Sequence, residues 1–281
     1  MIFTNKIIYL ILMPIGISFF LSIILRFIKS SIVIRLGYIS SIIAIIISYF
    51  FYFSLPEWPL NDKQILSYII ILSAISGIIL DLITEQNSLL RRVLIVAGPL
   101  LALVWISSVI NAELKTTIQI ITFVITFIIF IIIGFNLADK DSEDQQIASI
   151  LAMFVIGLGI ISNIKGNNDV FGISIIIFSA LAGIQLSNWP KKFITNSTLL
   201  LGIGTPILSI LAIVSFDPKI NKFSIVTLLL ILFLEKIIKL PLGQNKIIPI
   251  FKTLVICLSS ILIIFAAISI QNNEIIEYIK I

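Results

Sequence analysis

The chain has 281 residues, of which 59% are hydrophobic and only 12% charged, with a net charge of +5 and no histidine. Soluble domains carry about 25% charged residues, so this composition excludes a soluble globular protein. The lack of histidine removes imidazole acid–base chemistry, histidine metal sites and Ser-His-Asp arrangements.

Apolar runs long enough to cross the hydrocarbon core as helices predict ten spans, at 7–25, 36–55, 64–80, 93–110, 116–138, 145–164, 170–187, 197–216, 220–239 and 250–270. The expected fold is an all-α polytopic transmembrane helical bundle, a single integral membrane domain over 1–281. The first run has only Lys6 before it and no small-residue cleavage pattern, so it reads as a retained helix. Pro14, Pro99 and Pro206 fall inside spans and are predicted to kink them. Pro56, Asn87, Gly166, Pro190, Pro218 and Pro241 sit in the short connections. Trp58, Trp105 and Trp189 lie near span ends, as interfacial indoles do. Gly157 and Gly159, and Gly202 and Gly204, read as close helix contacts rather than phosphate loops. The pair Glu235-Lys236 interrupts the ninth span and marks either a broken helix or a self-neutralising helix end. Residues 271–281 read as a short amphipathic piece along the outer surface. Cys257, the only cysteine, allows no disulfide within the chain.

Loop cations set the expected orientation. The odd-numbered connections hold twelve Lys and Arg residues and the opposite side seven. The excess places the odd connections in the cytoplasm and both termini outside. These cations are scattered in twos and threes where headgroups and topology account for them, so no nucleic acid is expected as a partner. Asp81, the acidic knot from Asp139 to Asp144, Lys191 with Lys192, and Glu235 then share one face. A coupled transporter needs ionisable groups near the bilayer midplane, whereas here they gather at one surface.

Asp139, Asp141, Glu143 and Asp144 lie within six residues between two apolar spans. Carboxylates so close repel one another unless water or a cation intervenes. They are either a solvated turn or part of a cation-assisted site at the membrane surface. Asp81 closes the third span and Arg91-Arg92 open the fourth; each has a plain reading as a helix-end charge or an anchor.

Three segments taken in order resemble the polyprenyl-phosphate N-acetylhexosamine-1-phosphate transferases. Gly77-Ile78-Ile79-Leu80-Asp81 followed by Arg91 is similar to that family's G-x-x-D-D element and the arginine after it, with Leu80 in place of the first aspartate. Phe135-Asn136-Leu137-Ala138-Asp139 is similar to the start of its N-x-x-D-G-x-D-G-L-A run, after which Lys140 replaces the glycine. The stretch from Ala180 through Asn188, Lys191 and Lys192 to Ile194 resembles its G-F-L-x-x-N-x-P-P-A-[KR]-[IV]-F run. Where the family continues into G-D-x-G-S, this chain reads Thr195-Asn196-Ser197-Thr198, without a carboxylate. The family's histidine cluster has no counterpart.

The resemblance implies an inner-membrane enzyme of cell-envelope glycan assembly. It would move N-acetylhexosamine-1-phosphate from a UDP-sugar to polyprenyl phosphate, with Mg²⁺ neutralising phosphate charge. It points to Asp81 and Asp139 as catalytic residues, to Asp81, Asp139 and Asp141 as metal ligands, and to Asn136, Arg91, Asn188, Lys191 and Lys192 as substrate-binding residues. A homodimer is compatible with it. Two alternatives stay open: a homologue that kept the scaffold without catalysis and binds a lipid carrier or partner enzyme, and a ten-helix metabolite transporter.

Overall fold

The computed structural model describes residues 7–28, 37–53, 62–83, 88–109, 146–238 and 248–279, together with positions 121, 124, 127, 128 and 131. Among these residues all regular structure is helical. In chain order the helices are α1 (Ile8–Phe27), α2 (Ile39–Phe53), α3 (Asp62–Ile83), α4 (Ser88–Val109), α5 (Gln146–Ile164), α6 (Asn168–Ser187), α7 (Ser197–Gly202), α8 (Gly204–Phe216), α9 (Lys222–Leu229), α10 (Leu234–Ile237) and α11 (Ile248–Ile279). Six segments among the described residues are long and apolar enough to cross a membrane: α1, most of α3, α5, α6, the α7–α8 pair and the greater part of α11. Shorter apolar helices at Ile39–Phe53, Val93–Ile106 and Lys222–Phe233 fall on other predicted spans. The fifth predicted span lies largely outside the described residues. Its five described positions are helical, and three of them, Ile121, Val124 and Ile128, are exposed at spacings that share one helix face.

Burial divides the helices into a centre and a periphery. The α7–α8 span is 89% buried, whereas the apolar windows of α1 and α11 are only 17% and 22% buried. The peripheral helices turn large apolar side chains outward, among them Phe20, Leu101, Leu262 and Phe265. In water such a surface would aggregate; in hydrocarbon it is the solvent-facing side.

The interior, by contrast, is rich in serine. Ser40, Ser73, Ser174, Ser209 and Ser260 are buried, and each hydroxyl donates to a carbonyl three or four residues back in its own helix or its first turn. That back-bonding satisfies the hydroxyl locally, and the small side chain lets neighbouring helices approach closely. A few hydroxyls reach across: Ser18 with Ser41 at 3.3 Å, and Ser22 to Ser187. A Cβ added to Gly183 in α6 would stand 2.5 Å from the carbonyl oxygen of Ile15 in α1, so these two backbones touch. Gly157 lies against Leu228 and Ile264, Gly159 against Ser174, and Gly202 against Ile42, as the close-contact reading of those glycines expected.

Prolines and turns explain where the helices break. Pro14 follows a π-helical stretch, Ile8–Leu12, in which the chain widens before a residue that has no N–H to donate. Pro206 cannot donate to the carbonyl of Gly202, and the eighth span divides at Ile203 into α7 and α8. Pro99 is carried inside α4. Gly166 closes α5 at φ +87°, with its N–H on Asn163 and that of Asn167 on Ser162, and the Asn167 side chain then accepts from Val170 to begin α6. The ninth span tightens into a 3₁₀ stretch at Leu230–Phe233, just before Glu235-Lys236.

One expectation fails. Residues 271–279 do not turn along the surface but continue α11 without interruption. Gln271 is fully buried, and its side-chain oxygen accepts from the Asn221 N–H at 3.0 Å and the Ser224 hydroxyl at 3.1 Å. A polar residue read as the start of a surface strip is instead an internal tie between α11 and the start of α9.

Candidate functional site

Helices α3 and α7 bring together two segments 117 residues apart. Asp81, two residues before the C-terminal end of α3, directs one carboxylate oxygen at the first turn of α7. That oxygen accepts the Thr198 backbone N–H at 2.8 Å and the Thr198 hydroxyl as well. Thr198 is fully buried and Asp81 partly exposed. The opening N–H groups of a helix have no partner within it, and a carboxylate there satisfies one of them while opposing the positive end of the helix. Asp81 therefore acts as a cap supplied by a different helix.

Packing around this contact fixes its position. Leu80 is fully buried against Ile95 of α4 and Leu201 of α7. Gly202 meets Ile42 and the backbone of Ala74, so α7 lies against both α2 and α3. Leu80 thus faces an apolar cluster while Asp81, the next residue round the helix, faces the end of α7. A carboxylate at position 80, where the resembled family has one, would enter that cluster without a partner.

The other residues singled out from sequence are placed less fully. Arg91 lies in the first turn of α4, but its side chain is outside the description. Asn136, Asp139, Asp141, Asn188, Lys191 and Lys192 lie outside the described residues altogether. The connection carrying Asn188, Lys191 and Lys192 leads from the end of α6 into α7 and so ends at the residue beside Asp81. Among the described residues no three His, Cys, Asp or Glu side chains gather at one point. Asp81 is a single carboxylate already engaged by two donors, and alone it does not fit a Mg²⁺ ion, which takes oxygen ligands in an octahedron.

Thr198 is the residue that sequence reasoning missed. The run Thr195 to Thr198 stood out for lacking a carboxylate, and a threonine at the start of an apolar span was the available signal of a helix start. Two clefts also have no motif. One, of about 240 Å³, lies between α3 and α4 and is closed by Thr205, whose buried hydroxyl has no partner. The other, of about 480 Å³, lies between α5, α6 and α11.

Neither the protein-family models nor the curated proteins compared with this chain give a match.

Proposed function

We propose that the chain is a diverged membrane sugar-phosphate transferase of the inner membrane. It would have ten spans, both termini outside, and its motif-bearing connections in the cytoplasm. The observation that carries this reading is the meeting of Asp81 with Thr198. Asp81 ends the first family-like element, and Thr198 lies just past the third, where the family's G-D-x-G-S would fall; the two share one point at the ends of their helices. A shared point at a helix end is where a lipid phosphate and a water-borne sugar nucleotide can meet.

In this reading Asp81 holds the first turn of α7 and, with Asp139 and Asp141 brought alongside, would complete an oxygen-rich site for Mg²⁺. The ion would supply charge neutralisation for phosphoryl transfer. Lys191, Lys192 and Arg91 hold substrate phosphate charge, and Asn136 and Asn188 orient the sugar nucleotide. Positioning and charge neutralisation are most of what such a transfer asks of a protein. The test uses membranes containing the full chain, UDP-N-acetylglucosamine, undecaprenyl phosphate and magnesium. Lipid-linked sugar should form and should fall by at least about tenfold, the scale of one lost electrostatic contact, in Asp139→Asn. Product unchanged in both Asp139→Asn and Asp81→Asn refutes the site.

A second reading has its own support. Asp81 is already engaged as a cap, and Leu80 is buried in an apolar cluster. These features fit a scaffold that keeps the shape of such an enzyme and binds a lipid carrier or a partner protein without turnover. It predicts no product under the same conditions, together with co-purifying polyprenyl phosphate.

A further inference from the structure

The cleft between α5, α6 and α11 is unrelated to the Asp81 contact and has a directional lining. Its three polar residues, Ser149, Gln185 and Thr253, come from the first turns of α5, the last turn of α6 and the second turn of α11. Because α5 and α11 begin where α6 ends, all three lie toward one end of the bundle. Deeper in, the walls are Ala152, Met153, Phe178, Ala182 and Cys257. Phe178 and Gln185 are seven residues apart, about 10 Å along a helix axis. Leu186 and Leu254 flank the mouth and are largely exposed. The cleft therefore opens sideways, out of the bundle, through apolar residues.

Its volume of about 480 Å³ falls within the roughly 300–1,000 Å³ of ordinary ligand pockets. Polarity runs along the helix axis, hydroxyl and amide groups at one end and hydrocarbon and thioether beyond. That is the polarity of one leaflet of a bilayer, headgroup then tail. Lys252, in the second turn of α11 beside Thr253, is not part of the lining but puts a positive charge on the same end of that helix, and a phosphodiester complements it.

We propose that this cleft holds one glycerophospholipid of the surrounding bilayer. An acyl chain lies against Met153, Phe178 and Cys257, and the phosphate is held at the Ser149, Gln185 and Thr253 end. A chain that enters sideways displaces no water and fills space that would otherwise leave the cleft walls without contacts. The polar end fixes its depth and selects for a headgroup able to accept hydrogen bonds.

The experiment uses the full chain, delipidated in detergent, and two readouts. In native mass spectrometry with added dioleoylphosphatidylglycerol, one lipid per chain should survive detergent removal. It should be lost in Ala182→Phe, which fills the cleft, and kept in Leu262→Phe on the outer face of α11. The second readout needs no variant. Cys257 is the only thiol, and phosphatidylglycerol at saturation should slow its alkylation by N-ethylmaleimide about tenfold, since only the lipid-free fraction reacts. Dioleoylglycerol, which has the same tails and no phosphate, should protect much less.

An unchanged Cys257 rate, or retention of lipid by Ala182→Phe equal to the parent, overturns the proposal. Equal protection by dioleoylglycerol overturns the headgroup assignment. A dimer mass without lipid, with Cys257 protected, assigns the cleft to a second copy of the chain instead.

Discussion

The contact between Asp81 and Thr198 yields a quantitative prediction. Thr198→Val replaces the hydroxyl with a methyl group of nearly the same size in a fully buried position, so shape is kept and one donor is removed. Asp81 keeps the backbone N–H at 2.8 Å. Hydrogen bonds to a charged group contribute about 1.5–3 kcal/mol in soluble proteins. Interhelical bonds in a membrane protein average about 0.6 kcal/mol and reach about 1.7. This contact lies at a helix end and its acceptor is a partly exposed carboxyl group, so about 1–2 kcal/mol is expected. Asp81→Ala removes the cap as well as the hydroxyl's partner, and should cost about 1–2 kcal/mol more than a neutral surface change. The double variant should then be less destabilised than the sum of the singles, with a coupling of about 1 kcal/mol. The assay is reversible unfolding of the full chain by sodium dodecyl sulfate in mixed micelles, followed by far-ultraviolet circular dichroism. A coupling of zero with both singles folded would refute the contact, and with it the meeting of α3 and α7 on which the proposed function stands.

Other expectations follow from single contacts. Leu80→Asp, which would match the G-x-x-D-D element the segment resembles, should instead destabilise by more than about 2 kcal/mol, because position 80 is enclosed by Ile95 and Leu201; the same detergent titration measures it. Gly183→Val should cost about 3 kcal/mol, the upper end of overpacking, because the obstacle is the backbone of Ile15; Gly16→Val, with open space around it, is the control. Gln271→Leu leaves two buried donors, the Asn221 N–H and the Ser224 hydroxyl, with one acceptor fewer. It should cost about 1–3 kcal/mol and raise amide exchange at Asn221.

Long-range partners were the least legible part of the sequence. The helices could be read because a lipid-spanning segment needs about 20 apolar residues and little else. Breaks at Pro206 and Gly166 could be read because each has a stereochemical cause local to the chain. Asp81 was visible as a carboxylate ending an apolar run, yet its partner was not. The bond is made to a backbone N–H, which every non-proline residue has, and to a threonine 117 residues away. The same reason hides the tie from Gln271 to Asn221, so residues 271–281 read as a surface strip. Helical periodicity tells which residues share a face, but only packing tells which faces meet.

The serine-lined interior bears on how the molecule is assembled. Several buried hydroxyls, among them those of Ser174, Ser209 and Ser260, bond to carbonyls of their own helix, so this part of the hydrogen bonding is complete within each segment before its neighbours arrive. Two of the hydroxyl pairs that reach between helices, Ser18 with Ser41 and Ser22 with Ser187, involve α1. Helix α1, otherwise little buried, is therefore held in part by hydroxyl pairs that only packing can complete.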